Sequence, residues 1–288
     1  MHVQDLIQAA NVCRKAKDFR AAIDLFQQAL AQEPDQLQAL KGLADAYRGL
    51  GAVAECLATW DRYLALRPGD PGVQVRVADA CRRCGLVERA VSHYQGALQH
   101  DPSDRYALMG LGELHRKEKQ LDEALACWER LLDLDPGLLN IRTMAGHACR
   151  RKLDFSRAEY HFREALALDP QNPPAIFGLA DTLRGLGRFE AAAPYWDRIL
   201  RLDPDNREAL SRAGDCFARL GQCAKAESLF QRALVPGYDR SALLGLARVH
   251  LLLGVPHKAI TCYEAILDHN PGDVRTAQLL AQAAKSKP

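Results

Sequence analysis

The sequence predicts an all-α chain: a solenoid of eight helical hairpins followed by one further helix. Three observations predict it. Prolines recur every 34 residues, two stretches of amphipathic helical spacing lie between successive prolines, and small and aromatic residues keep fixed offsets within each interval. Pro34, Pro68, Pro102, Pro136, Pro170 and Pro204 set the ruler, and Pro271 fits it if one interval is shorter by one residue. The units are then 3–36, 37–70, 71–104, 105–138, 139–172, 173–206, 207–239 and 240–273, with 274–288 as a capping helix and tail.

Each unit reads as two helices and a short turn. In the fourth, the spacing predicts a helix over 106–117, a turn at Gln120-Leu121-Asp122 and a second helix over 123–134. Asp135-Pro136 ends it, because proline lacks the amide that would continue a helix and disfavours helical angles in its predecessor. Ala233-Leu234-Val235-Pro236-Gly237-Tyr238 shortens the seventh unit by one residue. Two readings fit that deletion: a tolerated loss, or a change of direction between units seven and eight. The tail from Val274 to Ala284 reads as a helix with Leu279 and Leu280 turned to the last hairpin and Arg275, Gln278 and Gln282 to water. No matching cap precedes residue 3.

The small and aromatic residues carry a resemblance. Position 8 of each unit is Ala10, Ala44, Ala78, Gly112, Gly146, Ala180, Gly214 or Ala247. Position 20 is Ala22, Cys56, Ala90, Ala124, Ala158, Ala192, Ala226 or Ala259, and position 24 is Phe26, Trp60, Tyr94, Trp128, Phe162, Trp196, Phe230 or Tyr263. With proline at position 32, the unit resembles the tetratricopeptide repeat. Small residues let paired helices approach, and the aromatic fills the space between hairpins. No hairpin buries its apolar faces alone, so stacking makes the core. The resemblance implies a right-handed superhelical solenoid that holds another protein in a concave groove.

A second period is superimposed. Even units carry Gly42, Gly110, Gly178 and Gly245 at position 6 and Tyr63, Leu131, Ile199 and Ile266 at position 27, where odd units have Ala29, Ala97, Ala165 and Ala233. Cys13, Cys81 and Cys149 occur at position 11 of odd units only. This 68-residue pattern suggests duplication of a two-repeat block, with packing that alternates along the core.

The resemblance also implies that positions 2, 5, 9, 12 and 13 of each first helix reach the groove. Position 12 is Arg14, Arg48, Arg82, Arg116, Arg150 and Arg184; position 13 adds Lys15, Arg83, Lys117, Arg151 and Arg219. Asn11, Asp45, Asp79, Glu113, His147, Asp181 and Asp215 lie three residues before position 12. Arginine grips carboxylates bidentately, so a partner segment with acidic residues is expected. The competing reading is pairing within the groove, since acid and arginine three apart on a helix are ordinary surface partners. Apolar candidates are Ile7, Val75, Met109, Phe177 and Leu244 at position 5, with Tyr106 and Met144 nearby. Reversing Arg82, Arg116 and Arg150 to glutamate is expected to weaken partner capture without unfolding. The carboxylate clamp of co-chaperone members is matched only by Asn11 and Arg76 of its five places; Ile7, Gly42 and Gly72 depart from it.

Composition limits the alternatives. Lysine and arginine total 38 against 36 acids, a net +2, which argues against a nucleic-acid partner. The nine cysteines lie mostly within apolar helical runs and read as reduced core residues of a cytoplasmic protein. Met1-His2-Val3-Gln4-Asp5 does not open a signal sequence, and no apolar run suggests membrane insertion. Cys81-Arg82-Arg83-Cys84 lacks the second pair of a metal site, and His115 and His250 at position 11 are explained by packing. No catalytic, metal or cofactor motif is present, so an enzyme is not expected. A self-assembling element forming a homo-oligomer is the second functional reading.

Overall fold

The computed structural model describes residues 1–285. Among them are seventeen α-helices and no strand. They fall into two compact units, Met1–Pro136 and Gly137 onward.

In the first unit the helices are α1 (Val3–Lys15), α2 (Phe19–Gln32), α3 (Leu37–Leu50), α4 (Val53–Leu66), α5 (Pro71–Arg83), α6 (Val87–His100), α7 (Arg105–Lys117) and α8 (Leu121–Leu134). The second holds α9 (Leu139–Arg151), α10 (Phe155–Leu168), α11 (Pro173–Gly185), α12 (Phe189–Leu202), α13 (Arg207–Arg219), α14 (Cys223–Leu234), α15 (Arg240–Leu252), α16 (Pro256–His269) and α17 (Val274–Lys285). Each hairpin packs its two helices on each other, and its second helix packs on the first helix of the next hairpin in the same unit.

The chain's own polar residues start many of these helices. Asp104 accepts hydrogen bonds from the amides of Tyr106 and Ala107, Asn172 from Ala175 and Asn206 from Ala209, each covering an amide that the first turn leaves unpaired. The turn inside every hairpin is tighter than the sequence suggests. α8 begins at Leu121, with Gln120 at its N-cap, because Lys119 takes a left-handed backbone at φ 63° and reverses the chain within three residues. Glycine fills that turn position at Gly51, Gly85, Gly187, Gly221 and Gly254, whereas Lys17, Lys119 and Leu153 accept the same strained angle. The shortened seventh unit is held from α13: Arg207 donates to the carbonyls of Ala233 (3.0 Å), Gly237 (2.7 Å) and Tyr238.

The core explains the long period. All eight position-24 aromatics are buried. Those of odd units lie against the position-6 glycines of the even units that follow them: a methyl group at Gly42, Gly110, Gly178 or Gly245 would come within 2.2–2.3 Å of Phe26, Tyr94, Phe162 or Phe230. Glycine there is the space into which the preceding ring projects. Between hairpins, arginine side chains fix the loops. Arg62 donates to the carbonyl of Pro34 (3.0 Å) and Arg232 to that of Pro204 (2.5 Å), with Arg130 and Arg198 doing the same for Pro102 and Pro170.

Candidate functional site

Within each unit the first helices stand beside one another, α1 on α3 and α5 on α7 in one, α9 on α11, α11 on α13 and α13 on α15 in the other. Consecutive second helices make no comparable contact. First helices are thus more closely spaced than second helices, and the candidate site residues all lie on first helices.

The position-12 arginines do not stand as a free ladder. In the first unit Asp45 of α3, 7% exposed, receives Arg14 of α1 (3.6 Å), Arg48 of its own helix (3.6 Å) and Arg76 of α5. Arg14 also donates to Asn11 Oδ1 (3.1 Å), whose amide donates to the Ile7 carbonyl (3.0 Å). Arg82 pairs with Asp79 (3.4 Å) and donates to the Tyr94 hydroxyl (3.3 Å), which donates to Asp79 (2.6 Å). Arg116 pairs with Glu113 (2.8 Å). Asn11 and Arg76, the two matches to a carboxylate clamp, are therefore both engaged internally.

The second unit repeats the Asp45 cluster four repeats later. Asp181 of α11, 2% exposed, receives Arg150 of α9, Arg184 of its own helix (2.7 Å) and Arg212 of α13. Arg184 also reaches Asp215 of α13 (3.3 Å), and Asp215 receives Arg248 of α15. The alternating series Arg150–Asp181–Arg184–Asp215–Arg248 thus stitches four first helices together. Burial alone would raise the Asp181 carboxyl, but Arg184 and Arg212 hold it below the ordinary carboxylate value. The sequence expectation that Arg150 can be reversed without cost to folding is corrected here, because glutamate at that place would face the buried Asp181.

His147 stands at position 9, where five other units carry an acid, the first carries Asn11 and the eighth Arg248. Burial first, then Arg150, push its pKa down to about 4, and its ring lies edge-on to Phe162 at 5.0 Å. It is neutral at physiological pH. Because the folded value is depressed below the unfolded one, near 6.5, the unfolded chain takes the proton first. Stability is therefore expected to fall as pH drops from about 6.5 toward 4 and to be flatter in His147→Asn, as thermal melts across that range will show.

What remains free is the position-13 row. Lys15, Arg83, Lys117, Arg151 and Arg219 are exposed, and none makes a hydrogen bond or ion pair among the described residues. Helical spacing puts position 13 one turn beyond position 9, and in two of the even units Gly49 and Gly185 at that position lie against Phe19 and Phe155 of the preceding second helices. The apolar candidates divide. Ile7 is 3% exposed and belongs to the core, correcting its place in the groove. Phe177 is half-buried, edge-on to Trp196 at 5.3 Å and beneath the Arg212 guanidinium at 5.4 Å. Met109 and Tyr106 on α7 are exposed, Tyr106 at 80%. Val75, Met144 and Leu244 are half-buried.

Cys81 is buried, its thiol pushed up by burial, while Cys84 is exposed at the end of α5. Among the described residues no group of histidine, cysteine and acidic side chains is placed to hold a metal, and no helix is long and apolar enough to cross a membrane.

Family models described as tetratricopeptide repeat match residues 14–77, 105–138, 153–199, 177–242 and 240–283. No curated protein matches the chain. Among solved structures, PilW, a widely conserved type IV pilus biogenesis factor, is similar over 73% of this chain and 98% of its own, at 21% identity and a TM-score of 0.59. YrrB, a tetratricopeptide repeat protein with an unusual peptide-binding site, is similar over 67% of this chain and 98% of its own, at 23% identity and a TM-score of 0.56. A tetratricopeptide repeat protein from Parabacteroides merdae ATCC 43184 is similar over 98% of both chains, at 14% identity and a TM-score of 0.51. At these identities the likeness establishes the fold.

Proposed function

We propose, from the premise that the chain belongs to the tetratricopeptide repeat family, that it is a non-enzymatic scaffold holding an extended, acidic segment of a partner protein along its first-helix faces. The unpaired position-13 cations carry this reading. Arg14, Arg48, Arg82, Arg116, Arg150 and Arg184 already have carboxylate or amide partners, whereas Lys15, Arg83, Lys117, Arg151 and Arg219 have none. Aspartates and arginines between the helices stiffen the wall, and the free row beside them attracts carboxylates. The peptide-binding site of YrrB supports the general mode of action. Nine unbridged thiols support a reducing, cytoplasmic setting.

The test uses a fluorescein-labelled 12-residue peptide of alternating glutamate and glycine, with its glutamine counterpart as control. Wild-type protein should bind the glutamate peptide alone, and less tightly as salt rises, because exposed charges are screened over about 8–10 Å at physiological ionic strength. Reversing Lys15, Arg83, Lys117, Arg151 and Arg219 to glutamate should abolish binding with the helical circular dichroism unchanged. Equal binding by the reversed protein would reject the position-13 row as the docking surface.

A further inference from the structure

The second unit contains a cavity at the end of its ion-pair series, lined by Arg184, Asp215 and Arg248 of that series among others. It is bounded by α13, α15 and α17 and measures about 630 Å³, within the range of ligand pockets. Five arginines line it: Arg184, Arg212, Arg240 and Arg248 are paired with Asp181, Asp215, Glu208 or Asp273, and Arg275 is unpaired. Its apolar surface comes from Leu244, Leu279, Phe230 and Tyr263.

Tyr263 departs from its counterparts. The other even units carry Trp60, Trp128 and Trp196 at position 24, all fully buried. In the eighth unit a smaller ring stands there and brings a hydroxyl. Tyr263 is 3% exposed, yet its hydroxyl has no hydrogen-bond partner among the described residues. Tyr94, the tyrosine of an odd unit, donates instead to Asp79 at 2.6 Å. Burial pushes the Tyr263 hydroxyl up, so it remains a donor. Nearby, Arg248 gives one terminal nitrogen to Asp215 while its Nε is buried without a partner. Arg275 on α17 is exposed and makes no ion pair. A buried donor left unpaired, as Arg248 Nε is, is unfavourable in the empty protein and favourable toward an acceptor that enters.

We infer that this cradle is the anchor point of the partner segment: a large apolar side chain packs on Leu244, Leu279 and Tyr263 while flanking carboxylates meet Arg248 and Arg275. The occupant is a peptide whose acidic residues bracket a phenylalanine or leucine. Charge complementarity selects the acids, and the apolar surface between the arginines selects the anchor. The inference rests on the acidic-partner reading above and adds where the segment is fixed and which residue fixes it.

Three labelled 12-residue peptides test it: glutamate and glycine alternating, the same with one central phenylalanine, and the same with a central serine. Wild-type protein should prefer phenylalanine to serine by tenfold or more, a difference of ~1.4 kcal/mol. Tyr263→Trp, which restores the side chain of the other even units and so preserves folding, should remove that preference while leaving charge-driven binding in place. Arg275→Glu should weaken all three acidic peptides. Equal affinity for the phenylalanine and serine peptides would overturn the cradle alone. Failure of every acidic peptide to bind would overturn both the cradle and the acidic-partner reading.

Discussion

Asp181→Ala will destabilise the second unit by about 3–5 kcal/mol, because removing one partner of a buried ion cluster leaves the others uncompensated. The carboxylate is 2% exposed and meets three guanidinium groups, each 24–29% exposed. Without it, Arg150, Arg184 and Arg212 converge on a neutral methyl, and water reaches them only in part. Urea unfolding followed by the fluorescence of Trp196, which lies in this unit, measures the loss. The equivalent Asp45→Ala should cost less, about 1–3 kcal/mol, since its arginines are 31–51% exposed and solvent can replace the lost partner. The pH dependence has a definite sign. The folded Asp181 value lies below the unfolded one, so the unfolded chain binds the proton first. Its stabilisation is complete above the unfolded value, about 3.9, and is lost as pH falls through the folded value. Asp181→Ala should therefore lose less stability than wild type below about pH 4. A loss under about 1 kcal/mol at neutral pH would show that Asp181 is not the hub of the cluster.

The repeat was legible because its causes are local and steric. Proline stops a helix wherever it stands, and a small residue opposite an aromatic needs no knowledge of distant chain. Alternation of the units was also visible, in Gly42, Gly110, Gly178 and Gly245, but its cause was not. That cause is the ring of the preceding hairpin, and only the packing of consecutive hairpins says which ring meets which glycine. Position-12 arginines carried two readings, contact with a ligand and pairing within the groove, because spacing along one helix shows what shares a face but not what stands across from it. Arg48, Arg82 and Arg116 pair with the acid three residues before them, whereas the other three reach neighbouring helices 31 residues on: Arg14 to Asp45, Arg150 to Asp181, Arg184 to Asp215. The same offset carries Asp45 to Arg76 and Asp181 to Arg212. That recurrence was a usable signal, since Arg76 and Arg212 occupy the position at which even units carry glycine. Ile7 failed for a simpler reason: a position assigned to the groove by resemblance is core in the first unit.

Gly178→Val will be costly even though valine is intrinsically the better helix former. Glycine inside a helix is unfavourable by about 1 kcal/mol relative to alanine, so replacing it on an exposed face commonly stabilises. Here the face is not exposed. A first carbon at Gly178 would lie 2.2 Å from Cε1 of Phe162 and 2.3 Å from its Cζ, well inside contact distance. The ring is fully buried and also lies close to Gly146, whose own added carbon would meet it at 2.8 Å. Phe162 thus packs against glycines of two hairpins. Overpacking of this kind costs about 1–3 kcal/mol per site, and a branched side chain against a pinned ring stands at the upper end, near 3 kcal/mol. Pairing Gly178→Val with Phe162→Ala gives the decisive comparison, because the truncated ring leaves the volume that valine needs. The double variant should be more stable than the sum of the two single losses predicts, by at least 1 kcal/mol in a double-mutant cycle. Additive losses would mean that Gly178 is required for something other than room for Phe162.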